Sequence, residues 1–248
     1  MKKDFQIVFG RHPVLDALNG NQPVDKVLLQ QGTRGELEVT LRHLCKEKNV
    51  ALQNVPKEKL NFLVRGNHQG VVAFISPITF SRVEDVVPFL FEKGVNPAIA
   101  VLDGITDVRN FGAIARSAEV MGFHAIVIPT KGGAQINADA VKASAGALLK
   151  IPVCKEPSLV NAMIYLKNSG LQVVSSALDG AKPMGNLDLK GPTAVVIGAE
   201  GSGVSKGVQK ESNSLFFIPQ LGETDSLNAS VASGIIFYEL QRQRGFQK

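Results

Sequence analysis

The apolar run from Val195 to Ile197 opens into a loop, Gly198-Ala-Glu-Gly-Ser-Gly203, whose composition suits ligand binding. Glycines after a strand let a ligand approach the backbone and receive hydrogen bonds from its N–H groups. Glu200 within this loop either caps the helix predicted over 204–211 or faces a ligand. The loop is not a P-loop, because no Gly-Lys-Ser/Thr closes it. The sequence therefore predicts a small-molecule site at this strand end.

A second stretch combines a strand end, a polar loop and a helix, from Asp103 to Arg116. Asn110 is placed to cap the helix or to point into the crevice beyond the strands. Gly112 and Arg116 are four residues apart and share one helical face. Such a pair leaves room for a phosphate or ribose against the helix. The alternative is a packing glycine beside a surface arginine.

A third stretch follows the apolar run from Leu215 to Ile218. Its sequence, Ser226-Leu-Asn-Ala-Ser-Val-Ala232, places three short polar side chains, Ser226, Asn228 and Ser230, in the first turn of an otherwise apolar helix. Ser226 is a natural N-cap. The small residues that follow permit close helix contact, as in a tight dimer. All three stretches lie where a predicted strand leads into a helix.

The rest of the chain supplies the elements that position these stretches. From residue 98 onward, strands are predicted at 99–102, 125–128, 151–154, 172–177, 194–197 and 215–218, and helices at 111–121, 138–149, 159–168, 204–211 and 227–242. Continuous apolar strands of this kind are typical of a parallel sheet that is covered on both faces. Ligands bind such sheets beyond the carboxyl ends of the strands.

The first 77 residues show a separate, smaller alternation. Strands are predicted at 5–9, 24–29, 50–55 and 70–75, and helices at 11–18, 36–48 and 57–64, which makes a small α/β sandwich. Residues 78–96 form a linker with a helix at 84–93 that Pro88 interrupts, and Asn96-Pro97 marks a boundary. We thus expect domains at 1–77 and 97–248.

Composition limits the possible classes of protein. The 248 residues are 44% hydrophobic and 20% charged, which is typical of a globular chain. The sequence has no run of about 18 apolar residues, so no membrane span is predicted. The first residues lack an apolar segment, so no signal peptide is expected. Cys45 and Cys154 lie in different halves of the chain, which favours a reducing cytoplasm over a disulfide framework. The four histidines lack metal-ligand spacing, so no metal is expected.

The positive charge is uneven along the chain. Residues 1–80 contain 11 Lys/Arg against 7 Asp/Glu, a net of +4 out of +5 for the whole chain. This asymmetry favours a polyanionic partner for the N-terminal part, although an ordinary basic surface has the same composition. The candidates for such contacts are Arg11, Arg34, Arg42, Lys46, Lys48 and Arg65.

Taken together, the three stretches resemble motifs one, two and three of the SpoU class of RNA ribose 2′-O-methyltransferases. The matching pieces are Asn110-Phe-Gly-Ala-Ile-Ala-Arg116, Ile197-Gly-Ala-Glu-Gly-Ser-Gly203, and Ile218-Pro219 with Ser226-Leu-Asn-Ala-Ser-Val-Ala232. The resemblance covers residues 97–245. The preceding segment, with Phe9-Gly-Arg-His12, resembles the ribosomal-protein-like substrate-binding domain of the ribosomal-RNA branch. Ala229 stands where valine is common in the class.

The resemblance implies a SPOUT-type parallel sheet with a C-terminal trefoil knot, in a homodimer whose sites lie near the interface. It implies S-adenosylmethionine as cofactor, held largely by backbone groups. By motif match, the cofactor-binding residues are Ala177, Gly198, Glu200, Gly201, Ile218 and Leu227. The implied partner is ribosomal RNA, with a guanosine of 23S rRNA as the expected methyl acceptor.

The resemblance also assigns catalytic roles to Asn110, Arg116, Glu200, Ser226 and Asn228. Arg116 corresponds to the arginine that is proposed to activate the ribose hydroxyl. An arginine is normally too basic to take a proton, so Arg116 alternatively binds the adjacent phosphate and stabilises the developing alkoxide. Asn110 and Glu200 would orient the arginine, the ribose or the loop. Ser226 and Asn228 would hydrogen-bond the ribose, the phosphate or the cofactor carboxylate.

Three other functions remain to be weighed. A non-catalytic RNA-binding protein of the same fold predicts loss of the glycine loop, Asn110, Arg116 or Asn228, and all are present. A nucleotide-dependent oxidoreductase predicts GxGxxG after the first strand, where this chain has Asp103-Gly-Ile-Thr-Asp-Val108. A tRNA ribose methyltransferase would differ only in its acceptor. The single argument against it is that the N-terminal domain resembles the substrate-binding domain of the ribosomal-RNA branch.

Overall fold

The computed structural model describes residues 6–20, 22–177, 181–223 and 226–246. The chain divides into two compact units. The first contains the residues up to Thr79 together with Gln135–Ala138, and the second contains Phe80–Ala134 and the residues from Asp139 onward. Phe5, where the first predicted strand begins, lies outside the described residues. Within the described ranges, no helix is long and apolar enough to cross a membrane.

The first unit is a four-stranded sheet with three helices. Its elements are β1 (Gln6–Phe9), α1 (Arg11–Asn19), β2 (Val24–Gln30), α2 (Glu36–Glu47), β3 (Ala51–Val55), α3 (Lys57–Leu63) and β4 (Val71–Ile75). The strand order is β1-β4-β2-β3, in which β4 is antiparallel to both its neighbours and β2 and β3 are parallel. This matches the small α/β sandwich that the sequence predicts.

The sheet of the first unit separates two apolar clusters. On one side, α1 and α2 bury Val14, Leu18 and Leu41 against Val27 and Val71. On the other side, Leu60 of α3 packs with other apolar residues, namely Leu28, Val55, Val72 and Phe74. Because successive residues of a strand point to opposite faces, the fully apolar β4 serves both clusters.

The second unit is built on an eight-stranded sheet in which every pairing is parallel. Its strands are β5 (Phe80–Ser81), β6 (Ala98–Asp103), β7 (Ala125–Pro129), β8 (Val153–Glu156), β9 (Gln172–Ser176), β10 (Lys182–Pro183), β11 (Thr193–Gly198) and β12 (Ser214–Phe217), in the order β10-β12-β9-β11-β6-β7-β8-β5. The predicted parallel α/β sheet is therefore confirmed.

The order of the strands sets where the ligand site forms. From β6 the chain runs outward through β7 to β8, and the later strands lie on the other side of β6. β11 inserts between β6 and β9, in a register that pairs Gly198 with Asp103. When the chain adds strands on both sides of a central strand, a crevice forms beyond the carboxyl ends of the strands at the point where the direction reverses. This crevice is the usual ligand site of an open α/β sheet.

Within the described residues, five helices connect these strands and a sixth follows the last strand. They are α4 (Val83–Glu92), α5 (Val108–Val120), α6 (Ala138–Ala143), α7 (Leu159–Asn168), α8 (Lys206–Lys210) and α9 (Ala229–Gln243). One face of the sheet is covered by α4, α7 and α8, through residues such as Val87, Met163 and Val208. Residues 80–92, within the region expected to be a linker, form β5 and α4 of this unit.

Several helices differ in extent from the sequence prediction; α5 begins at Val108 instead of at residue 111, because Asp107 caps it, and α8 spans only Lys206–Lys210. α4 continues through the exposed Pro88, because Val87 and Leu90 bury its apolar face. The helix predicted over 138–149 ends at Ala143, since Ala145 and Gly146 take positive φ angles of 49° and 82°, and a short 3-10 turn follows. α9 begins at Ala229 instead of at residue 227, because Asn228 caps it.

Contacts along its length fix α9 within the second unit. The rings of Phe237 and Phe123 lie 4.2 Å apart between centroids, and Gln241 donates to the carbonyl of Met121 after α5. Beyond the helix, Arg244 donates to four backbone carbonyls, those of Leu189, Asn96, Pro97 and Gly191. Burial lowers the pKa of Arg244 to about 10. These contacts hold the C-terminal half of α9 against the rest of the second unit.

Candidate active site

The carboxyl ends of β9, β11 and β12 and the start of α9 enclose a pocket of about 560 Å³, which we call the glycine pocket. The hydrogen bonds between β9 and β12 continue past the end of β9, because the N–H of Ala177 donates to the carbonyl of Phe216 over 2.9 Å. Strand ends, the glycine loop and α9 each supply part of the wall. This volume lies in the range of roughly 300–1,000 Å³ that is typical of small-molecule sites.

The glycine loop needs glycine at specific positions. A Cβ on Gly198 would lie 2.0 Å from the backbone carbon of Gly203, so a side chain there would force the loop off the strand end. Gly201 and Gly203 have φ angles of 84° and 65°, which side-chain-bearing residues rarely adopt. The N–H of Gly203 donates to the carbonyl of Ala199 over 2.8 Å, which closes the loop.

Asn228 connects the three sequence stretches. Its Nδ2 atom donates to Oδ1 of Asn110 over 3.1 Å and to Oε2 of Glu200 over 3.3 Å. Its Oδ1 atom accepts from the backbone N–H of Ser230 and from the Ser230 hydroxyl, at 2.9 and 2.6 Å. One amide thus caps α9 and joins the start of α5 to the glycine loop.

The predicted capping roles are distributed differently in the structure. Asn228 caps α9, whereas Ser226 is exposed at the pocket wall. Asp107 caps α5 by accepting from the N–H groups of Arg109 and Asn110, which leaves the side chain of Asn110 for Asn228. No side-chain hydrogen bond caps α8, so Glu200 contacts Asn228 instead of serving that helix.

All six residues expected to bind the cofactor line the pocket, namely Ala177, Gly198, Glu200, Gly201, Ile218 and Leu227. The lining is mostly backbone, small residues and apolar side chains such as Phe217 and Ile236. Among the described lining residues, Glu200 is the only ionisable one. Its carboxylate favours a ligand with positive charge, and the apolar surfaces favour one with a flat ring.

Arg116 and Gly112 lie apart from this pocket lining. Arg116 is exposed on α5. Gly112 is buried against α6, and a Cβ there would lie 2.5 Å from Cβ of Ala143 and 3.0 Å from the carbonyl oxygen of Ala140. Gly112 is therefore a packing residue, and the space beside it is filled by α6 and not by a phosphate or ribose.

Sequence reasoning missed three residues that shape the site. Oδ2 of Asp103 accepts from the N–H of Ser205 over 2.8 Å, which ties the far end of the glycine loop to β6. Gln209 lines the pocket and donates to the carbonyl of Val204, and Phe217 supplies an aromatic wall. An acid at the end of a buried strand was a usable signal for Asp103. No sequence signal distinguished Gln209 and Phe217.

Comparison with known proteins identifies the family. Residues 97–238 match the SpoU rRNA Methylase family, and residues 7–81 match the domain described as RNA 2'-O ribose methyltransferase substrate binding. This chain belongs to the SpoU rRNA methylase family. The chain is therefore an RNA methyltransferase, and S-adenosylmethionine is the methyl donor that SpoU methyltransferases use.

The similarity extends over nearly the whole chain. The putative TrmH family tRNA/rRNA methyltransferase YacO of Bacillus subtilis is 33% identical over 245 residues, covering 98% of both chains. An uncharacterized tRNA/rRNA methyltransferase of Mycolicibacterium vanbaalenii is 34% identical, covering 97% of this chain and 77% of its own. The structure of the SpoU methyltransferase AviRb from Streptomyces viridochromogenes shares the fold, with a TM-score of 0.62, 23% identity, and coverage of 98% of this chain and 91% of that one.

Proposed function

We propose that this enzyme transfers a methyl group from S-adenosylmethionine to a ribose 2′-hydroxyl, and that its acceptor is a guanosine of 23S rRNA in the cytoplasm. The observation that carries the proposal is the adjacency of two features. The glycine pocket is lined by the residues expected to hold the cofactor, and Glu200 of that pocket is joined through Asn228 to Asn110.

The residues of the pocket fit S-adenosylmethionine. Backbone groups around Ala177, Gly198 and Leu227 suit its polar parts, while Phe217 and Ile218 suit the adenine ring. The Glu200 carboxylate at the pocket wall favours a ligand that carries positive charge. When bound, the cofactor supplies a methyl group on a sulfonium, which is open to in-line displacement.

The chain must then present the 2′-oxygen in line with the methyl group, and the hydroxyl proton passes to solvent water as the new C–O bond forms and the C–S bond breaks. Asn110 and Asn228, held by their mutual hydrogen bond, offer fixed polar groups for orienting a ribose. Arg116 binds the adjacent phosphate and stabilises negative charge that develops on the attacking oxygen, because a guanidinium is a donor that keeps its proton. Ser226, exposed at the pocket wall, is available as a further hydrogen-bonding group.

We further propose that the enzyme works as a homodimer that forms through α9. Val231, Ile235 and Tyr238 are exposed apolar residues spaced four and three apart, so they form one stripe on that helix. An exposed apolar stripe on a water-facing helix is typical of a protein interface. α5, which carries Arg116, packs against α9, so this dimer brings Arg116 near the partner.

Methyl transfer from labelled S-adenosylmethionine to purified 23S rRNA and bulk tRNA tests the function. We expect label in 23S rRNA at an alkali-resistant linkage, as ribose 2′-O-methylation requires. Arg116→Ala should lower kcat by about a hundredfold or more, since it removes a charge that stabilises the transition state. Arg109→Ala, an exposed arginine on the same helix, is the matched control and should keep wild-type activity.

Other outcomes select the alternatives. Label confined to tRNA would support a tRNA ribose methyltransferase, which the names of the curated relatives leave open. Binding of the cofactor without label in either RNA would contradict both acceptors. Absence of cofactor binding, with RNA binding retained, would instead indicate a non-catalytic RNA-binding protein.

A further inference from the structure

The first unit contains a second concave surface, of about 850 Å³, that is polar and positively charged. It lies between the start of α1, the loop after β2, the start of α3 and the loop before β4. Its cations are Arg11, Arg34 and Lys57, and its described lining includes no aspartate or glutamate. We call this surface the basic pocket.

Between these cations, the lining consists largely of hydrogen-bonding side chains. Gln30, Thr33, Asn61, Asn67 and Gln69 all contribute to the wall. Amide side chains combine donors and acceptors, which is the chemistry that recognises the edge of a nucleic-acid base. Cations without neighbouring carboxylates are the chemistry that binds a phosphate.

The wall of the basic pocket is held in a fixed shape. His68 is only 5% exposed; its Nδ1 accepts from the N–H of Gly70 over 3.0 Å, so Nε2 carries the proton and donates to Oδ1 of Asn61 over 2.9 Å. Oε1 of Gln69 accepts from the N–H of Arg11, and the carbonyl of Gly70 accepts from the N–H of Gln30. The loop before β4 is therefore tied to α1, β2 and α3.

The same loop contains an unusual backbone conformation. Gln69 has a φ angle of 49° and Gly70 one of 81°. A side-chain-bearing residue with positive φ is strained, and such strain is concentrated at binding sites. The hydrogen bonds that hold the loop thus maintain a shape that the backbone does not favour by itself.

Two exposed aromatic residues neighbour residues of the pocket lining, one in sequence and one in space. Phe62 follows Asn61 on α3 and is 89% exposed. Phe9 is 38% exposed and covers Gly66, where a Cβ would lie 2.7 Å from the Phe9 ring. Aromatic rings beside cations are the combination on which unpaired bases stack, at roughly 1–3 kcal/mol per base.

We propose that the basic pocket binds an unpaired nucleotide of the RNA substrate. Arg34 and Lys57 hold the phosphates on either side of it, the amide side chains contact the edge of its base, and Phe62 stacks on the neighbouring base. A paired base cannot turn its edge into such a pocket, so the site selects single-stranded RNA over duplex. The inference rests on the proposed function in taking RNA as the substrate.

Binding of fluorescent poly(U) by the full-length protein tests the proposal. Arg34→Gln and Lys57→Gln should each weaken binding about fivefold to tenfold and reduce the slope of log affinity against log salt by about 1. Phe62→Ala should weaken binding about tenfold without changing that slope, because stacking releases no counterion. An unlabelled blunt duplex should compete poorly with the wild-type protein.

A matched variant controls for the loss of positive charge. Lys59→Gln changes a lysine on the same helix as Lys57 that is exposed and lies outside the pocket lining. This control should bind poly(U) as the wild type does. Every variant should keep its thermal unfolding temperature and its affinity for S-adenosylmethionine.

Two results would overturn the proposal. The first is equal binding by the pocket variants and their control, and the second is equal competition by duplex and single strand. Measuring methyl transfer in parallel separates this proposal from the proposed function. If methyl transfer occurs but the pocket variants change neither poly(U) affinity nor the KM for rRNA, only the proposal for the basic pocket is contradicted. If the pocket variants weaken poly(U) binding but no methyl transfer is detected, only the proposed function is contradicted.

Discussion

At the scale of single residues, the contact between Asn228 and Glu200 is the most informative. Asn228→Asp keeps the oxygen that caps α9 but replaces the donor facing Glu200 and Asn110 with a second carboxylate oxygen. We expect kcat for methyl transfer to fall by about a hundredfold, since loss of positioning costs that much, while the unfolding temperature changes little.

A second substitution tests whether the contact acts by positioning. Glu200→Gln, added to Asn228→Asp, exchanges donor and acceptor across the 3.3 Å contact. The double variant should recover part of the lost kcat, because an amide at position 200 can donate to the new carboxylate. An activity equal to or below that of both single variants would argue that Glu200 acts through its charge and not through this hydrogen bond.

The same residues show what the sequence predicts at this scale. Asn110, Glu200 and Asn228 could be selected because each follows a strand end, where ligands bind. Their partnership was not predictable, since the bonded side chains are 118 and 28 residues apart in sequence. The assignment of the helix caps was not predictable either, because Asn228 and not Ser226 caps α9. Ser226 has the residue type of a cap, but the chain turns into α9 two residues later, at Asn228.

At the scale of secondary structure, Gly112 determines how closely α5 approaches α6. Replacing glycine by alanine at an interior helix position normally raises the free energy of unfolding by about 0.5–1 kcal/mol. At Gly112 the added methyl would meet Ala143 and the carbonyl of Ala140. We therefore expect Gly112→Ala to destabilise the protein by about 1–3 kcal/mol in denaturant unfolding, as overpacking does.

The relevant comparison is with the double variant that also carries Ala143→Gly. Removing the Ala143 methyl takes away the closest contact, 2.5 Å, and should restore part of the stability. If Gly112 instead made room for a ligand, Gly112→Ala would weaken cofactor or RNA binding and leave stability unchanged. That result would contradict the packing role.

Most of the helices and strands follow from hydrophobic periodicity, and two exceptions have different causes. The helix predicted over 138–149 is apolar enough to continue, but Ala145 and Gly146 adopt left-handed conformations that end it. Conversely, Pro88 does not end α4, because the buried side chains of Val87 and Leu90 anchor the helix on both sides of it. Local backbone conformation thus ends the first helix, whereas tertiary packing continues α4 against the local preference of proline.

At the scale of the whole molecule, the sequence predicts a parallel sheet but not its strand order. β11 comes after β10 in the chain and yet lies between β6 and β9. That insertion brings Gly198 beside Asp103 and creates the pocket, and no local pattern encodes it. The trefoil knot was expected from resemblance alone and stays a prediction.

The proposed dimer gives a prediction at this same scale. Ile235→Lys places a charge in the exposed apolar stripe of α9, so it should raise the dimer dissociation constant by about two orders of magnitude, measured by sedimentation. Val39→Lys, at an exposed apolar position on α2, is the control and should stay dimeric. An unchanged sedimentation coefficient for Ile235→Lys would contradict an interface through α9.

Mixing two inactive variants tests whether the dimer completes the active site. Arg116 is exposed and lies outside the lining of the pocket that contains Glu200, and we predict that it serves the pocket of the partner subunit. Arg116→Ala mixed with Glu200→Ala, after unfolding and refolding together, should then regain about a quarter of wild-type activity, because half the dimers carry one intact site out of two. If both residues act within one protomer, no mixed dimer has an intact site, and the mixture stays inactive.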